Sequence, residues 1–324
     1  MAKFKVYYTI ELNEVATHIF ESNDFEVKLC SHNDEETYVK ELAEFQPDAI
    51  MCRTEPITAK MMDTCKNLKV IGKQGAGLDN IDMDHAHAKD ITVVYAPAGN
   101  ANAVAEHAVM LMLMCAKRFT YVDRQFRGGN FLVRMGMEHT YELGGKTLGM
   151  IGCGRISQLA MQKCKYGFGM NVIGYDPYLT QDKIGDLCEL KATAKEVWEQ
   201  ADFVSVHLPV VPSTEHSIGR EQFGWMKPTA SFINCARGAL IKENELVECL
   251  KDGTLFQAGL DVFEHEPIQE SSRELFNLDN VIMTPHMAAT TEQSVLNCCT
   301  SVANDIVAVC NGQEPKVKAQ KPKF

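Results

Sequence analysis

The 324-residue sequence has no C-x-x-C pair, although it contains twelve cysteines. The cysteines are scattered, and only Cys298 and Cys299 are adjacent. The first five residues, MAKFK, do not form a signal peptide either. Scattered cysteines without a secretory signal are typical of reduced thiols, and they lack the spacing of a metal site. We therefore expect a cytoplasmic protein without disulfides or bound metal.

Long apolar runs and excess positive charge are also missing. The longest apolar run, Ala108 to Cys115, is far too short to cross a bilayer and predicts a buried helix. The formal charge of −11 argues against nucleic acid or an anionic membrane as a partner. With 45% hydrophobic and 23% charged residues, the composition is that of a globular protein, long enough for two domains.

The first hundred residues alternate between strand and helix patterns. Short apolar segments at 3–10, 26–29, 49–52 and 68–71 predict strands, and residues 59–66 predict a helix between the last two. A βα repeat of this kind implies a parallel sheet covered by helices. We expect a small flavodoxin-like unit here.

A glycine-rich loop, Gly72 to Asp82, follows the fourth of these strands. Ligands of open α/β sheets bind at such strand ends, and successive backbone N–H groups there can hold a carboxylate. Lys73 is a candidate cation for an anionic substrate. The alternatives are a plain turn and a solvated lysine.

The centre of the chain carries a strand, a tight turn and a helix start. Residues 148–151 are apolar, Gly152 and Gly154 form the turn, and the third glycine of a G-x-G-x-x-G pattern is replaced by Ser157. Such a turn directs backbone N–H groups and a helix dipole at one point, which suits a pyrophosphate. Glycine-rich turns also occur in ordinary αβ units that bind no nucleotide. The surrounding residues must therefore show whether this turn binds a pyrophosphate.

A second strand, 171–175, ends in Asp176 at the spacing expected for an acid that binds an adenosine ribose. A carboxylate accepts hydrogen bonds from both ribose hydroxyls and repels a 2′-phosphate. The next three residues supply no cation. These features favour NAD over NADP.

Further elements follow from the same patterns. A long apolar helix at 103–117 carries Glu106 and His107, which could be catalytic, although a satisfied helix histidine is the favoured interpretation. The arm at 119–142 has no clear pattern, and the lysine-rich tail at 315–324 should be frayed. Later strands are expected at 203–206, 231–234, 256–260 and 281–283, and helices at 243–251 and 294–310.

Three of these strand ends place an ionisable residue at the same edge: Arg237, Glu266 and His286. Arginine can bind a carboxylate bidentately and polarise a carbonyl. Histidine can exchange a proton with the carbonyl oxygen, and a paired glutamate would favour its imidazolium form and orient the ring. Reversible hydride transfer between a hydroxy acid and NAD needs this set, whereas each residue alone could be a surface ion pair or an ordinary histidine.

The sequence resembles the D-isomer-specific 2-hydroxyacid dehydrogenases along nearly its whole length. The segments that carry the resemblance occur in the family's order: GKQGAGLDNID, NAVAEHAVMLML, ELGGKTLGMIGCGRI, IGYDP, HLPVVPSTEH, INCARGALI, AGLDVFEHEP and VIMTPH. The resemblance implies an α/β fold in which a Rossmann-type NAD-binding domain, residues 99–287, is inserted in a flavodoxin-like substrate domain, residues 1–98 and 288–324. It also implies a homodimer that associates through residues 103–142.

The resemblance assigns site residues as well. It gives Arg237, Glu266 and His286 the catalytic roles above, and it makes Ala76 and Gly77 holders of the substrate carboxylate. Asp261 would contact the nicotinamide amide. The implied cofactor-binding residues are Gly152, Gly154, Arg155, Ile156, Asp176, His207, Pro209, Thr214, Cys235, Ala236 and Asp261.

Substrate identity is the least determined feature. Arg53 and Lys73 lie where phosphoglycerate dehydrogenases of this family carry phosphate-binding cations, which favours 3-phosphoglycerate or hydroxypyruvate and glyoxylate. A broad reductase of D-lactate-like, aromatic or branched 2-keto acids and a non-enzymatic NAD-sensing scaffold are the alternatives. Formate dehydrogenases of the family have glutamine at the position of Glu266. No regulatory domain follows His286, so feedback control through such a domain is not expected.

Overall fold

A computed structural model describes residues 3–320, without the side chain of Ser271. The strands are β1 Phe4–Tyr8, β2 Phe25–Leu29, β3 Ala49–Cys52, β4 Val70–Lys73, β5 Thr92–Tyr95, β6 Thr147–Ile151, β7 Asn171–Tyr175, β8 Glu189–Leu190, β9 Phe203–Val206, β10 Ser231–Asn234, β11 Gln257–Leu260 and β12 Val281–Met283. The α-helices are α1 Glu14–Glu21, α2 Glu35–Phe45, α3 Ala59–Thr64, α4 Met83–Ala88, α5 Ala101–Ala116, α6 Phe119–Arg127, α7 Arg155–Gln162, α8 Gln181–Ile184, α9 Ala194–Gln200, α10 Arg220–Trp225, α11 Glu243–Asp252 and α12 Glu292–Cys310. Short 3-10 helices cover Phe131–Gly136, Gly238–Leu240 and Glu270–Asn277, and a π-helical turn, Lys163–Gly167, continues α7.

The described residues form two units, one of residues 3–100 with 290–320 and the other of Ala101–Ala289. The second unit is therefore an insertion in the first.

The first unit contains a parallel sheet of five strands in the order β2-β1-β3-β4-β5. This is the flavodoxin-like order, and it confirms the fold expected for this part of the chain. Apolar residues fill both faces of the sheet, with α1 and α12 on one side and α2, α3 and α4 on the other. Gly72 in β4 has no side chain, which lets Val302 and Ile306 of α12 pack directly on the strand.

The expectation of a frayed tail is wrong for residues 316–319. The buried carboxylate of Asp305 accepts the backbone N–H of Lys316 at 2.8 Å and of Val317 at 3.2 Å, and Ala319 N–H donates to the Val93 carbonyl at 2.8 Å. The segment thus pairs with β5, a strand that the sequence pattern did not predict. Residues 321–324 lie outside the described residues.

The second unit contains a parallel sheet of seven strands in the order β12-β11-β10-β9-β6-β7-β8. Counted from β6, this is the Rossmann order 3-2-1-4-5-6 with a seventh strand beyond the sixth. Helices α5 and α7 cover one face, and α9, α10 and α11 cover the other. Because the strands are parallel, they end at the same edge of the sheet. The segments that follow β6, β7, β9, β10, β11 and β12 therefore lie together at this edge.

The arm at 119–142 consists of α6 and a 3-10 helix at 131–136, and neither buries a residue in its own unit. No helix in the described part of the chain combines the length and apolarity that spanning a membrane requires.

Candidate active site

The turn between β6 and α7 depends on Gly152. Its φ is +86°, a conformation that residues with a side chain rarely adopt, and a Cβ would lie 2.7 Å from the His207 carbonyl oxygen. Gly154 differs, because a Cβ there would meet no protein atom within 4 Å. The space beside Gly154 is therefore open to a ligand at the start of α7. Arg155, the first residue of the helix, is exposed, and Ile156 is partly buried.

The serine at the third position of the glycine pattern strengthens this turn. Ser157 is buried, and its hydroxyl donates to the Gly152 carbonyl at 2.6 Å. A hydrogen bond of this kind fixes the first turn of α7 against the end of β6.

Asp176 follows β7 and is held at the same turn. Its Oδ2 accepts the backbone N–H of Cys153 at 2.9 Å, and its Oδ1 accepts the N–H of Tyr178 at 2.9 Å. The carboxylate is therefore oriented before any ribose binds. The residues present fit a dinucleotide: an open helix N-terminus for the pyrophosphate and a fixed acid for the ribose.

The loop after β9 carries His207, Pro209 and Thr214. The Thr214 hydroxyl donates to the Pro209 carbonyl at 2.6 Å and accepts the Val211 N–H at 2.9 Å, so the loop is closed on itself. His207 Nε2 lies 2.9 Å from the Ser205 hydroxyl oxygen, and desolvation lowers the pKa of His207 to about 4. The imidazole is neutral at neutral pH.

Arg237 follows β10 in a turn that Asn234 holds. The buried Asn234 side chain accepts the Ala236 N–H at 2.9 Å and donates to the Arg237 carbonyl at 2.9 Å. The Arg237 guanidinium also donates to the Ala236 carbonyl at 2.7 Å. Cys235 is buried in the same turn, and burial raises the pKa of its thiol well above the usual value.

Glu266 and His286 form the hydrogen-bonded pair expected from sequence. Oε2 of Glu266 lies 2.5 Å from Nδ1 of His286, and Oε1 accepts the Phe263 N–H at 3.0 Å. Each side chain is 35% exposed, so a ligand can reach the pair. Because Nδ1 of His286 is occupied by Glu266, Nε2 is the ring nitrogen that could exchange a proton with a ligand.

The backbone of His286 has a φ of +48°, in the left-handed region that costs a residue with a side chain about 1 kcal/mol or more. Asp261 maintains this conformation. Its carbonyl accepts the His286 N–H at 2.7 Å, and its buried carboxylate accepts the Met287 and Ala288 N–H groups, each at 2.9 Å. The position of His286 is thus determined by hydrogen bonds to the end of β11.

His107 supports the same loop from α5. The Thr284 hydroxyl donates to Asp261 Oδ1 at 2.6 Å and lies 2.8 Å from His107 Nε2, which must therefore be the protonated ring nitrogen. Burial lowers the pKa of His107, and the nearby Asp261 carboxylate opposes that shift. This is the satisfied helix histidine that the sequence favoured. Both oxygens of Asp261 are engaged, and its contact with a nicotinamide amide stays a prediction.

The substrate-binding candidates lie in the first unit. Lys73 ends β4 opposite Cys52 of β3, and Arg53 follows Cys52, so the two cations lie at neighbouring strand ends. Lys73 is 7% exposed, and the Arg53 guanidinium donates to the Thr290 hydroxyl at 2.7 Å. Ala76 and Gly77 lie in the loop that follows β4, directly after Gly75, whose φ is +142°.

Sequence reasoning missed several polar residues that hold these loops. They are Glu55, which accepts the Arg53 N–H and the Thr9 hydroxyl, both at 2.9 Å, together with Asn234, Thr284 and Glu243. Only Asn234 had a recognisable signal, since it is a polar residue at the end of a buried strand. All twelve cysteines are free thiols, and residues 3–320 contain no cluster of three or more His, Cys, Asp or Glu side chains arranged for a metal.

The structure combines a parallel α/β unit that has a glycine turn and a Glu–His pair at its strand ends with a second α/β unit in which it is inserted. This architecture is typical of two-domain nucleotide-dependent dehydrogenases. Residues 109–288 match the family model described as "D-isomer specific 2-hydroxyacid dehydrogenase, NAD binding domain". The chain belongs to the D-isomer-specific 2-hydroxyacid dehydrogenase family.

Three similar proteins illustrate the relationship. A D-3-phosphoglycerate dehydrogenase of Methanocaldococcus jannaschii is 39% identical over 311 residues, which cover 95% of this chain and 58% of that protein. A hydroxypyruvate reductase of Thermotoga maritima is 36% identical over 296 residues, covering 91% and 94%. The structure of a D-lactate dehydrogenase of Aquifex aeolicus, complexed with NAD and lactic acid, has a TM-score of 0.84 at 25% identity, covering 98% and 100%. The chain spans 58% of the length of the first curated relatives that it matches.

Proposed function

We propose that this protein is an NAD-dependent oxidoreductase that interconverts a D-2-hydroxy acid and its 2-keto acid. The observation that carries the proposal is the pair of Glu266 and His286 at the edge of the Rossmann sheet where Arg237 also lies. These residues follow the neighbouring strands β11, β12 and β10. Family membership supports the same reaction.

The chain's own residues account for substrate binding and proton transfer. The Arg237 guanidinium binds the substrate carboxylate and polarises the adjacent carbonyl. His286 donates the proton on Nε2 to the carbonyl oxygen during reduction and accepts it from the hydroxyl during oxidation, while Glu266 stabilises the charged imidazolium through Nδ1. Bound NADH or NAD supplies or accepts the hydride.

The proposed cofactor site comprises the turn residues Gly152 and Gly154, the helix start at Arg155 and Ile156, and Asp176. The segments after β9 and β10 contribute His207, Pro209, Thr214, Cys235 and Ala236. A fixed carboxylate at Asp176 disfavours the 2′-phosphate of NADP because it places two negative charges in contact.

For the substrate we favour 3-phosphoglycerate or a hydroxypyruvate or glyoxylate type. The neighbouring positions of Arg53 and Lys73 support an anionic group on the substrate beyond its carboxylate. Relatives named D-3-phosphoglycerate dehydrogenase and hydroxypyruvate reductase support the same range. The Ala76 and Gly77 N–H groups would hold the carboxylate.

We also place the protein in the cytoplasm as a homodimer that associates through residues 103–142. Large apolar side chains are exposed on the arm: Phe119, Phe126, Phe131, Leu132 and Met135, at 51–75%. A shallow groove between α6 and the 3-10 helix is lined by Phe126, Phe131 and Val133 among others. Apolar surface of this kind is costly in water and is typical of a subunit interface. Light scattering on the purified protein tests the dimer, and a charge at Phe126 should weaken it.

Turnover with NADH tests the function. The panel contains hydroxypyruvate, 3-phosphohydroxypyruvate, glyoxylate, pyruvate, phenylpyruvate and 2-ketoisocaproate. Preference for the phosphorylated compound supports the phosphoglycerate assignment, and preference for an apolar keto acid supports the broad reductase. If no 2-keto acid turns over while NAD binds, the NAD-sensing scaffold replaces the enzyme.

A further inference from the structure

The carboxylate of Glu243, the first residue of α11, is buried at 8% exposure. Both of its oxygens have hydrogen-bond donors. Oε2 accepts the backbone N–H of Glu264 at 2.9 Å, and Oε1 accepts the hydroxyl of buried Ser272. A buried carboxylate is costly unless its oxygens are satisfied, so the energy of this site depends on those two contacts.

The Glu264 N–H belongs to the turn that orients Glu266. In this turn the preceding N–H, of Phe263, donates to Glu266 Oε1 at 3.0 Å, and the other oxygen of Glu266 contacts His286. Glu243 therefore holds the Phe263–Glu264 peptide group of the turn. The preceding peptide group, Val262–Phe263, holds Glu266.

Gly238 presses on the same turn from the Arg237 side. A Cβ at Gly238 would overlap the carbonyl group of Phe263 and the nitrogen of Glu264. The segment that runs from Arg237 to the start of α11 thus meets the Glu266 turn at two places, one through packing at Gly238 and one through the Glu243 carboxylate.

We propose that Glu243 is a positioning residue that acts on catalysis through Glu266. Its carboxylate fixes the Phe263–Glu264 peptide, and through Phe263 this steadies the adjoining Val262–Phe263 peptide, whose N–H keeps Glu266 directed at Nδ1 of His286. The inference rests on the proposed function, because the roles of Glu266 and His286 come from it. Glu243 itself touches neither substrate nor cofactor in this scheme.

The first test is a double-mutant cycle between positions 243 and 266. Glu243→Ala should lower kcat about tenfold, the value of one hydrogen bond in the barrier, and leave the NADH dissociation constant within about twofold. Glu243→Gln should recover most of the activity, since its amide oxygen can still accept the Glu264 N–H. In a Glu266→Ala background, where no side chain is left at this position to be oriented, Glu243→Ala should cause almost no further loss. An equal loss in both backgrounds, or wild-type kcat in Glu243→Ala, would overturn the proposal.

Two further variants control for general damage. Ser272→Ala removes only the hydroxyl that donates to Oε1 of Glu243. It should reproduce part of the kcat loss, and only when Glu266 is present. This variant replaces Glu243→Ala in the test if Glu243→Ala does not fold. His216→Gln is the matched control. His216 Nε2 lies 2.9 Å from the Glu264 side chain rather than its backbone, in a partly exposed contact, so kcat should not change.

A readout independent of turnover separates this inference from the proposed function. Long-range nitrogen–proton NMR correlations report the state of the His286 ring nitrogens. The Glu243→Ala spectrum should shift toward that of Glu266→Gln, whereas the His216→Gln spectrum should match the wild type. A wild-type His286 signal in Glu243→Ala refutes the positioning role whether or not the protein reduces any keto acid, and absence of wild-type turnover refutes only the proposed function.

Discussion

The backbone N–H of Cys153 donates to Oδ2 of Asp176 at 2.9 Å, which joins the glycine turn after β6 to the acid after β7. The two features that indicate a dinucleotide site in the sequence are therefore one hydrogen-bonded unit in the fold. The Asp176 carboxylate should therefore have two separable effects: its oxygens orient the turn, and its negative charge selects the cofactor.

Asp176→Asn should relax the preference for NAD. The amide oxygen can still accept one backbone N–H, but the negative charge that repels a 2′-phosphate is gone. We expect the ratio of kcat/KM for NADH to that for NADPH to fall about tenfold or more, corresponding to about 1.4 kcal/mol. The more disruptive Asp176→Ala variant also loses both backbone contacts. If NADH remained as strongly preferred in Asp176→Asn as in the wild type, the charge would not be the source of selectivity.

Alanine at the two glycines of the turn should affect different properties. Gly152→Ala should lower the stability of the protein, whereas Gly154→Ala should weaken NADH binding. Gly152→Ala requires a strained φ and a Cβ 2.7 Å from the His207 carbonyl oxygen, so the free energy of unfolding should fall by about 1–3 kcal/mol. Gly154→Ala meets no protein atom within 4 Å and should leave stability unchanged, but its methyl group occupies the space proposed for the pyrophosphate.

Chemical denaturation and NADH titration of the two variants check this pair. Unchanged NADH affinity in Gly154→Ala would show that the cofactor does not approach the helix start, and unchanged stability in Gly152→Ala would show that the turn adapts at little cost.

Much of the fold could be predicted because hydrophobic periodicity is a local signal. Strands β3, β7, β9, β10 and β12 have the bounds predicted from their apolar runs. The tail could not be predicted, because its order comes from Asp305, a residue that lies beside the tail only once α12 has packed on the sheet. A hydrogen bond between a side chain and a distant backbone N–H leaves no periodic pattern in the sequence.

The same distinction applies to the site. Arg237, Glu266 and His286 were predicted because strand ends are recognisable and the chemistry limits the residue types. Glu243 was not, because a glutamate in the first turn of a helix is ordinarily a solvated partner of the helix dipole. Its burial depends on the Glu264 turn, which lies 21 residues away along the chain.

Arg53 and Lys73 should determine the response to a phosphorylated substrate. Arg53→Ala should raise KM for 3-phosphohydroxypyruvate about tenfold while KM for hydroxypyruvate changes little, because only the phosphate loses a charge-assisted hydrogen bond. Arg53 also bonds to Thr290, so Thr290→Ala is the matched control for loss of that contact. Equal changes for both substrates in Arg53→Ala would make this residue structural.

Acid should destabilise the apoprotein partly through His207. Its folded-state pKa of about 4 lies below the ordinary value of 6.5, so below pH 6.5 the unfolded chain binds a proton that the folded protein does not. Stability from this residue is complete above pH 6.5 and is lost as the pH falls to about 4, by about 3 kcal/mol at most. In His207→Gln the free energy of unfolding should decline less between pH 6.5 and 4.5. An identical decline in both proteins would contradict the lowered pKa.

Removal of the acid–base group should lower turnover steeply without abolishing cofactor binding. His286→Ala eliminates the Nε2 proton donor, and general acid–base catalysis contributes about 10²- to 10⁴-fold, so kcat should fall within that range. Glu266→Gln keeps a hydrogen-bonding oxygen but not the charge that stabilises imidazolium, and its loss should be smaller. Because the glycine turn and Asp176 lie at other strand ends, NADH titration should give a near wild-type dissociation constant for both variants. In His286→Ala an alanine must adopt the left-handed backbone conformation of this position. Thermal unfolding of the variant is therefore measured beside the kinetics, to show that it is folded. Near-normal kcat in a folded His286→Ala protein would assign the proton transfer to another group.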